Sequence, residues 1–151
     1  MTWQEFKQEE PVLASLGEKI FERTSMVMLG TLRKDGSPRI SPVEVLFTEG
    51  QLYLGMMWRS QKALDLLRDP RCTVHSATSN RDGSQGDFKM FGKAVEVNDP
   101  EARSRYTDAM FEKIGFKPEE PEFHLFSIDV ESAALIEFKD EKMTHKVWHK
   151  A

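Results

Sequence analysis

The chain reads as a mainly β protein: an antiparallel barrel of six or seven strands with short helices set between them. Three observations predict this. Apolar spacing changes at Ser25 from helical to strand-like, with Met26–Leu32 apolar on both faces as in a closed barrel. Asp35-Gly36 and Glu49-Gly50 then supply tight hairpin turns. Beyond them, strand-like runs recur in hairpin order and are interrupted only by short helical stretches.

The opening segment predicts helix. Thr2 and Glu5 have capping-box spacing, Pro11 interrupts, and Val12, Leu13, Leu16, Ile20 and Phe21 continue an apolar stripe to Arg23. Strands follow over Met26–Leu32, about Pro38–Thr48 and Gln51–Met57, forming a meander. Ser60 begins a short helix with Ala63, Leu64 and Leu67 on one face, stopped by Asp69-Pro70. Arg71–Ser76 and Asp87–Asn98 are the fourth and fifth strands. Asp99 caps a helix with Pro100 in its first turn, and Ala102, Tyr106, Ala109, Met110 and Ile114 recur at helical spacing. His124–Phe138 is a long sixth strand and Lys142–Trp148 a seventh.

At 151 residues, residues 1–151 form one domain, long enough for a core without disulfides. A net charge of −4 with no basic block argues against a nucleic-acid or anionic-membrane binder, while leaving room for a local phosphate pocket. There is no apolar run of membrane-spanning length, and the polar start does not read as a secretory signal. The lone Cys72 fits a reducing, cytoplasmic location, and its apolar strand context reads as packing.

Side-chain chemistry is sparse. There is no Gly-rich phosphate loop, GxSxG elbow or HExxH, and four histidines with one cysteine lack metal-ligand spacing, so no metal is expected. One segment stands out: Arg59-Ser60-Gln61-Lys62, where strand gives way to helix. A helix start there offers free N–H groups and a positive dipole end, with Ser60, Arg59 and Lys62 adding a hydroxyl and two cations. The plain alternative is an N-cap serine between solvated cations.

LGTLRKDGSPRISPVEV, LYLGMMWRSQKALDLLRDPRCTVHS, GDFKMFGKAVEVND and the closing VWHK, in that order and spacing, resemble the pyridoxamine 5′-phosphate oxidase-like family of FMN-binding split barrels from about Glu18 to Lys150. SxKAxxLxxDPR with the preceding hairpin is the most specific part. The resemblance implies a six- to seven-stranded antiparallel split β-barrel with short peripheral helices, acting as a cytoplasmic homodimer. It implies FMN as cofactor, with oxidoreductase chemistry toward a small-molecule electron acceptor or donor. Arg39 and Ser41 on the second strand would hold the FMN phosphate with Ser60 and Lys62, and Arg59 beside them. Pro42, Val43 and Glu44, with Leu54, Gly55 and Met56, would flank the flavin ring. Asp87, Lys89 and Trp148 of the partner copy would close the groove.

Three positions depart from the oxidase proper, which carries arginine at Gln61, lysine at Glu44 and glutamine at Asp87. The losses of positive charge argue against vitamin B6 oxidation itself. Relatives also include reductases using the deazaflavin cofactor, whose anionic tail needs a basic track; Arg59, Lys62, Arg68 and Arg71 would supply part of one. A non-catalytic flavin or haem carrier, or an interaction module with a decayed site, is the competing class. Structural readings stand beside the functional ones: Arg39 as an exposed cation, Ser41 as the start of a bend, Met56 as packing and Trp148 as a core or dimer plug.

Overall fold

Alternating burial along each strand shows how the barrel closes. In β1 (Met26–Leu32), Val27, Leu29 and Thr31 point inward, and in β2 (Pro38–Thr48) Val43 and Val45 do so. β3 (Gln51–Met57) contributes Leu52, Leu54 and Met56 to the same interior. The computed structural model describes residues 1–151. β4 (Arg71–Ser76), β5 (Asp87–Glu96), β6 (Phe123–Lys139) and β7 (Lys142–His149) complete an antiparallel sheet ordered β3-β2-β1-β4-β5-β6-β7.

The sheet closes because β6 is long enough to serve two neighbours along one edge. Its first part, Phe123–Ser127, pairs with β3 and shuts a six-stranded barrel. Its second part, Ser132–Lys139, leaves β3 behind and takes β7 as partner instead. Mainly β, six closed strands plus one, with short helices around them: the fold expected from the sequence is the fold observed.

Helices seal the two ends. α1 (Trp3–Glu9) begins with the expected capping box at Thr2 and Glu5, and α2 (Pro11–Glu22) starts at its proline. Together they drive Trp3, Phe6, Leu13 and Phe21 into the core, against Phe88 of β5. Val12 is a correction: it is exposed, and Ala14 and Gly17 pack in its place. At the other end α3 (Gln61–Arg68) plugs the mouth with Ala63 and Leu66, so the expected Leu64–Leu67 face is rotated and Leu67 is exposed.

α4 (Pro100–Ile114) lies outside the barrel. Tyr106 and Met110 pack on Leu46, Phe123 and Leu125, making a second, smaller core on the outer face of β2 and β6. Its buried face includes Arg103 and Thr107, which helical spacing of apolar residues alone could not show. No helix is long and apolar enough to cross a membrane.

Candidate functional site

Register places Arg39 and Ser41 at the mouth that α3 plugs. Arg39 stands opposite Thr31 and Ser41 opposite Leu29, both on the inward side of β1, and Val43 continues that side into the core. Arg39 therefore reaches α3 rather than bulk solvent. Its Nε donates to Oδ2 of Asp65 at 2.7 Å. The same carboxylate accepts from Thr31 Oγ1 at 2.8 Å and from Arg68 Nη2 at 3.2 Å. Burial of Asp65 opposes its ionisation, but the bonds from Arg39, Thr31 and Arg68 outweigh that and hold its pKa below the ordinary carboxylate range.

Only the Nε of Arg39 is bonded within the chain, so its η nitrogens have no partner, and the residue also lines an adjoining depression. That depression, of about 400 Å³, is also lined by Arg33, Lys34, Gln61 and Arg68. Four cations against Asp35 and Asp65 make it basic on a chain that is acidic overall.

At the start of α3, Ser60 occupies the N-cap position with extended backbone, yet its side chain makes no capping bond. Its Oγ is buried and has no hydrogen-bond partner in the chain. An N-cap serine ordinarily accepts from the second or third helical N–H. Here the hydroxyl and the first-turn N–H groups of Gln61, Lys62 and Ala63 are left for something else. Arg59 precedes it in the left-handed region, at φ 56°, with its N–H donated to Nε2 of His124 at 3.1 Å. That bond fixes where the chain turns from β3 into α3. Lys62 is half-buried on the first turn of the helix.

The residues expected along a ring divide by strand parity. Pro42, Glu44 and Gly55 face outward, whereas Val43, Leu54 and Met56 are in the barrel core, so only their backbones can meet a ligand. Glu44 and Gly55 are direct cross-strand neighbours. The tyrosine of α4 lies over that glycine: a Cβ at position 55 would sit 2.0 Å from the Tyr106 hydroxyl oxygen. Burial, and secondly the Glu44 charge, push the Tyr106 phenol up, keeping it protonated.

Asp87 and Lys89 are on the same outer face but far along it. The row Pro42–Met28–His75–Lys89 crosses three strand-to-strand steps, or about 14 Å at ordinary strand spacing. One chain alone does not bring them together. Trp148 is buried, packs on Phe6 at 4.8 Å between ring centroids and donates its Nε1–H to Glu9 at 2.9 Å. It anchors α1, so its side chain is not free to reach a site on another copy. Cys72 is buried with its thiol pushed up to about 12 by desolvation, inert as its context suggested.

Sequence reasoning missed Asp65, Tyr106, Trp58 and His124. Asp65 carried a faint signal, a carboxylate between Ala63 and Leu66 on the buried side of a short helix. Pairing of His124 with Trp58, whose rings stack 4.6 Å apart at 10°, depends on β3 meeting β6 and had no local signal.

The family model described as pyridoxamine 5′-phosphate oxidase matches residues 17–137. Among curated proteins none matches. Solved structures share the fold. A pyridoxamine 5′-phosphate oxidase-related, FMN binding protein from Nostoc punctiforme is 16% identical, with a TM-score of 0.71 over 94% of this chain and 90% of its own. The haem storage protein HutZ of Vibrio cholerae is 16% identical, with a TM-score of 0.65 over 79% of this chain and 90% of its own. General stress protein 26 of Bacillus anthracis is 17% identical, with a TM-score of 0.63 over 87% of this chain and 97% of its own. The split barrel closed by β3 and β6, and the family match over most of its length, make this chain a member of the pyridoxamine 5′-phosphate oxidase family.

Proposed function

We propose that this protein is an FMN-dependent oxidoreductase that works as a cytoplasmic homodimer. The observation that carries this reading is the buried, unpartnered Ser60 hydroxyl at the uncapped start of α3, the helix that Asp65 ties to Arg39. A phosphate monoester fits there: it accepts from Ser60 Oγ, the first-turn N–H groups and the Arg39 η nitrogens, with Lys62 adding charge. Ser41, on the same side of β2, and Arg59 at the junction complete the seat.

FMN, when bound, supplies the hydride or electron transfer for which this chain offers no obvious side chain. The chain's own residues bind and orient. Pro42, Glu44 and the Gly55 strand present an outer wall, and the backbones of Val43, Leu54 and Met56 support it. Glu44 sets a negative charge there, opposing build-up of further negative charge and making a small anionic substrate such as a B6 phosphate a poor fit.

The dimer is supported by the wide uncovered face of the sheet. Ile40 of β2 is 70% exposed, and Phe91 of β5 and Val147 of β7 are exposed on the same side. A second copy lying on this face would bring its Asp87 and Lys89 to the Pro42–Glu44 wall, which one chain cannot do. The deazaflavin alternative is less well served: Arg68 bonds the Leu32 carbonyl and Asp65, and Arg71 is paired with Asp69, so two of the four cations of the basic track are already engaged.

Titration of the purified protein with FMN, followed by flavin fluorescence, tests the cofactor. Saturable micromolar binding is expected, and Lys62→Ala should weaken it by about tenfold without changing the melting temperature. Absence of binding, or equal losses of binding and stability, would overturn the assignment. Rapid-mixing reduction of the FMN-loaded protein by NADH or NADPH then separates an enzyme from a carrier.

A further inference from the structure

A cleft of about 630 Å³ opens at Trp58, in the β3–α3 junction, and shares no lining residue with the basic depression. Its walls come from Trp58, His124 at the start of β6, the end of β5 and the first turns of α4. We propose that it is a second small-molecule site, selective for an electron-poor planar heteroaromatic ring that carries carbonyl or amide acceptors and no negative charge.

The ring selectivity follows from Trp58. This indole is 51% exposed in a chain whose other two tryptophans are buried. It is held rather than loose: the imidazole of His124 stacks on it, and that imidazole is fixed by the Arg59 N–H. A rigid, half-open, electron-rich shelf favours stacking with electron-poor planar partners. Burial depresses the His124 pKa, so the shelf carries no cation that would compete.

Ligand charge and polarity follow from the walls. Arg103 and Glu120 neutralise each other in a two-pronged pair, and Lys117 is matched by Asp108. Arg103 also donates to the carbonyls of Val97 and Phe123, so its charge is met by Glu120 and only one Nη1 hydrogen is left without a partner. The remaining polar groups without a partner in the chain are three donors, the Trp58 indole N–H, the Asn98 amide and the Ser104 hydroxyl, and one carboxylate, Glu96. The donors ask for neutral acceptors, and the unpaired Glu96 carboxylate repels an anion.

Nicotinamide is a suitable probe, with cyclohexanecarboxamide as the same amide on a non-planar ring. In ¹H–¹⁵N spectra the three indole N–H signals separate the environments: Trp3 is buried, Trp148 is bonded to Glu9 and Trp58 is open. Nicotinamide should move the Trp58 signal and the Asn98 and Ser104 amides saturably, while leaving Trp3 and Trp148 in place. Trp58→Leu, at a half-exposed position, should keep the fold and weaken the Asn98 and Ser104 response by about tenfold. Saturating FMN should leave the response intact, whether or not FMN itself binds at Ser60. Equal shifts with cyclohexanecarboxamide, no saturation, an unchanged response in Trp58→Leu, or displacement by FMN would each overturn the proposal.

Discussion

Arg39 and Asp65 join β2 to α3 through a 2.7 Å Nε–Oδ2 bond, with the carboxylate only 4% exposed and the arginine 24%. This pair does two things at once. It locks the helix that plugs the barrel mouth, and it leaves the η nitrogens of the guanidinium without a partner in the chain. Asp65→Asn removes the charge that Arg39 and Arg68 pair with, and leaves one acceptor oxygen where two served Arg39, Thr31 and Arg68. Asp65→Asn should therefore cost about 2–3 kcal/mol, below the full cost of breaking a buried pair because both arginines retain access to water. Urea unfolding measures this. The depressed pKa adds a pH signature: the stabilisation is complete above the ordinary carboxylate value of 3.8 and is lost as pH falls through the lower folded value. Asp65→Asn should flatten that acid limb.

Ser60 separates a structural cap from a ligand-binding hydroxyl. A working N-cap serine replaced by alanine costs about 1 kcal/mol. Ser60 makes no cap bond and leaves its Oγ unpaired, so Ser60→Ala should change stability by less than about 0.5 kcal/mol. FMN affinity should fall by about tenfold, the loss of one charge-assisted bond. Thermal denaturation and FMN titration on the same sample decide it; a large stability loss with unchanged binding would restore the simple cap.

Much of this was legible in the sequence, for identifiable reasons. Asp35-Gly36, Glu49-Gly50 and Asp99-Pro100 mark turns and a helix start through local chemistry, and each lies where expected. Ser60 and Lys62 could be singled out because helix starts have their own residue code. Asp65 could not, because a carboxylate in a short helix reads as solvated until β1 and β2 are known to bring Thr31 and Arg39 to it. Trp148 was ambiguous for a similar reason. Its burial rests on α1, which lies some 140 residues away in sequence and meets it only after β7 has paired with β6.

Gly55 and Tyr106 give a test of how α4 seats on the barrel. A methyl group at position 55 would overlap the tyrosine hydroxyl, with backbone on both sides limiting retreat. Gly55→Ala should destabilise by about 2–3 kcal/mol, as overpacking does. Tyr106→Phe removes the overlapping oxygen, so the double variant should recover a substantial part of that loss. A double-mutant cycle showing strict additivity would mean that α4 moves aside freely.

His124 ties the turn into α3 to pH. Its Nε2 accepts the Arg59 N–H, so the bond requires that nitrogen to be unprotonated. Burial first, and then the charges of Arg103 and Arg59, lower its pKa from the ordinary 6.5, while Glu96 acts in the opposite direction. The unfolded chain therefore binds the proton more readily. Stability from this group is complete above 6.5 and declines as pH falls from there to the lower folded value, below which protonation of both states leaves no further slope. Glutamine can accept the same N–H through its amide oxygen but does not titrate. Comparing His124→Gln with the parent by urea unfolding between about pH 8 and pH 5 isolates the contribution. The parent should lose stability across the lower part of that range and the variant should lose less. Identical slopes would show that the turn into α3 is held by Arg59's backbone conformation alone, independent of the imidazole.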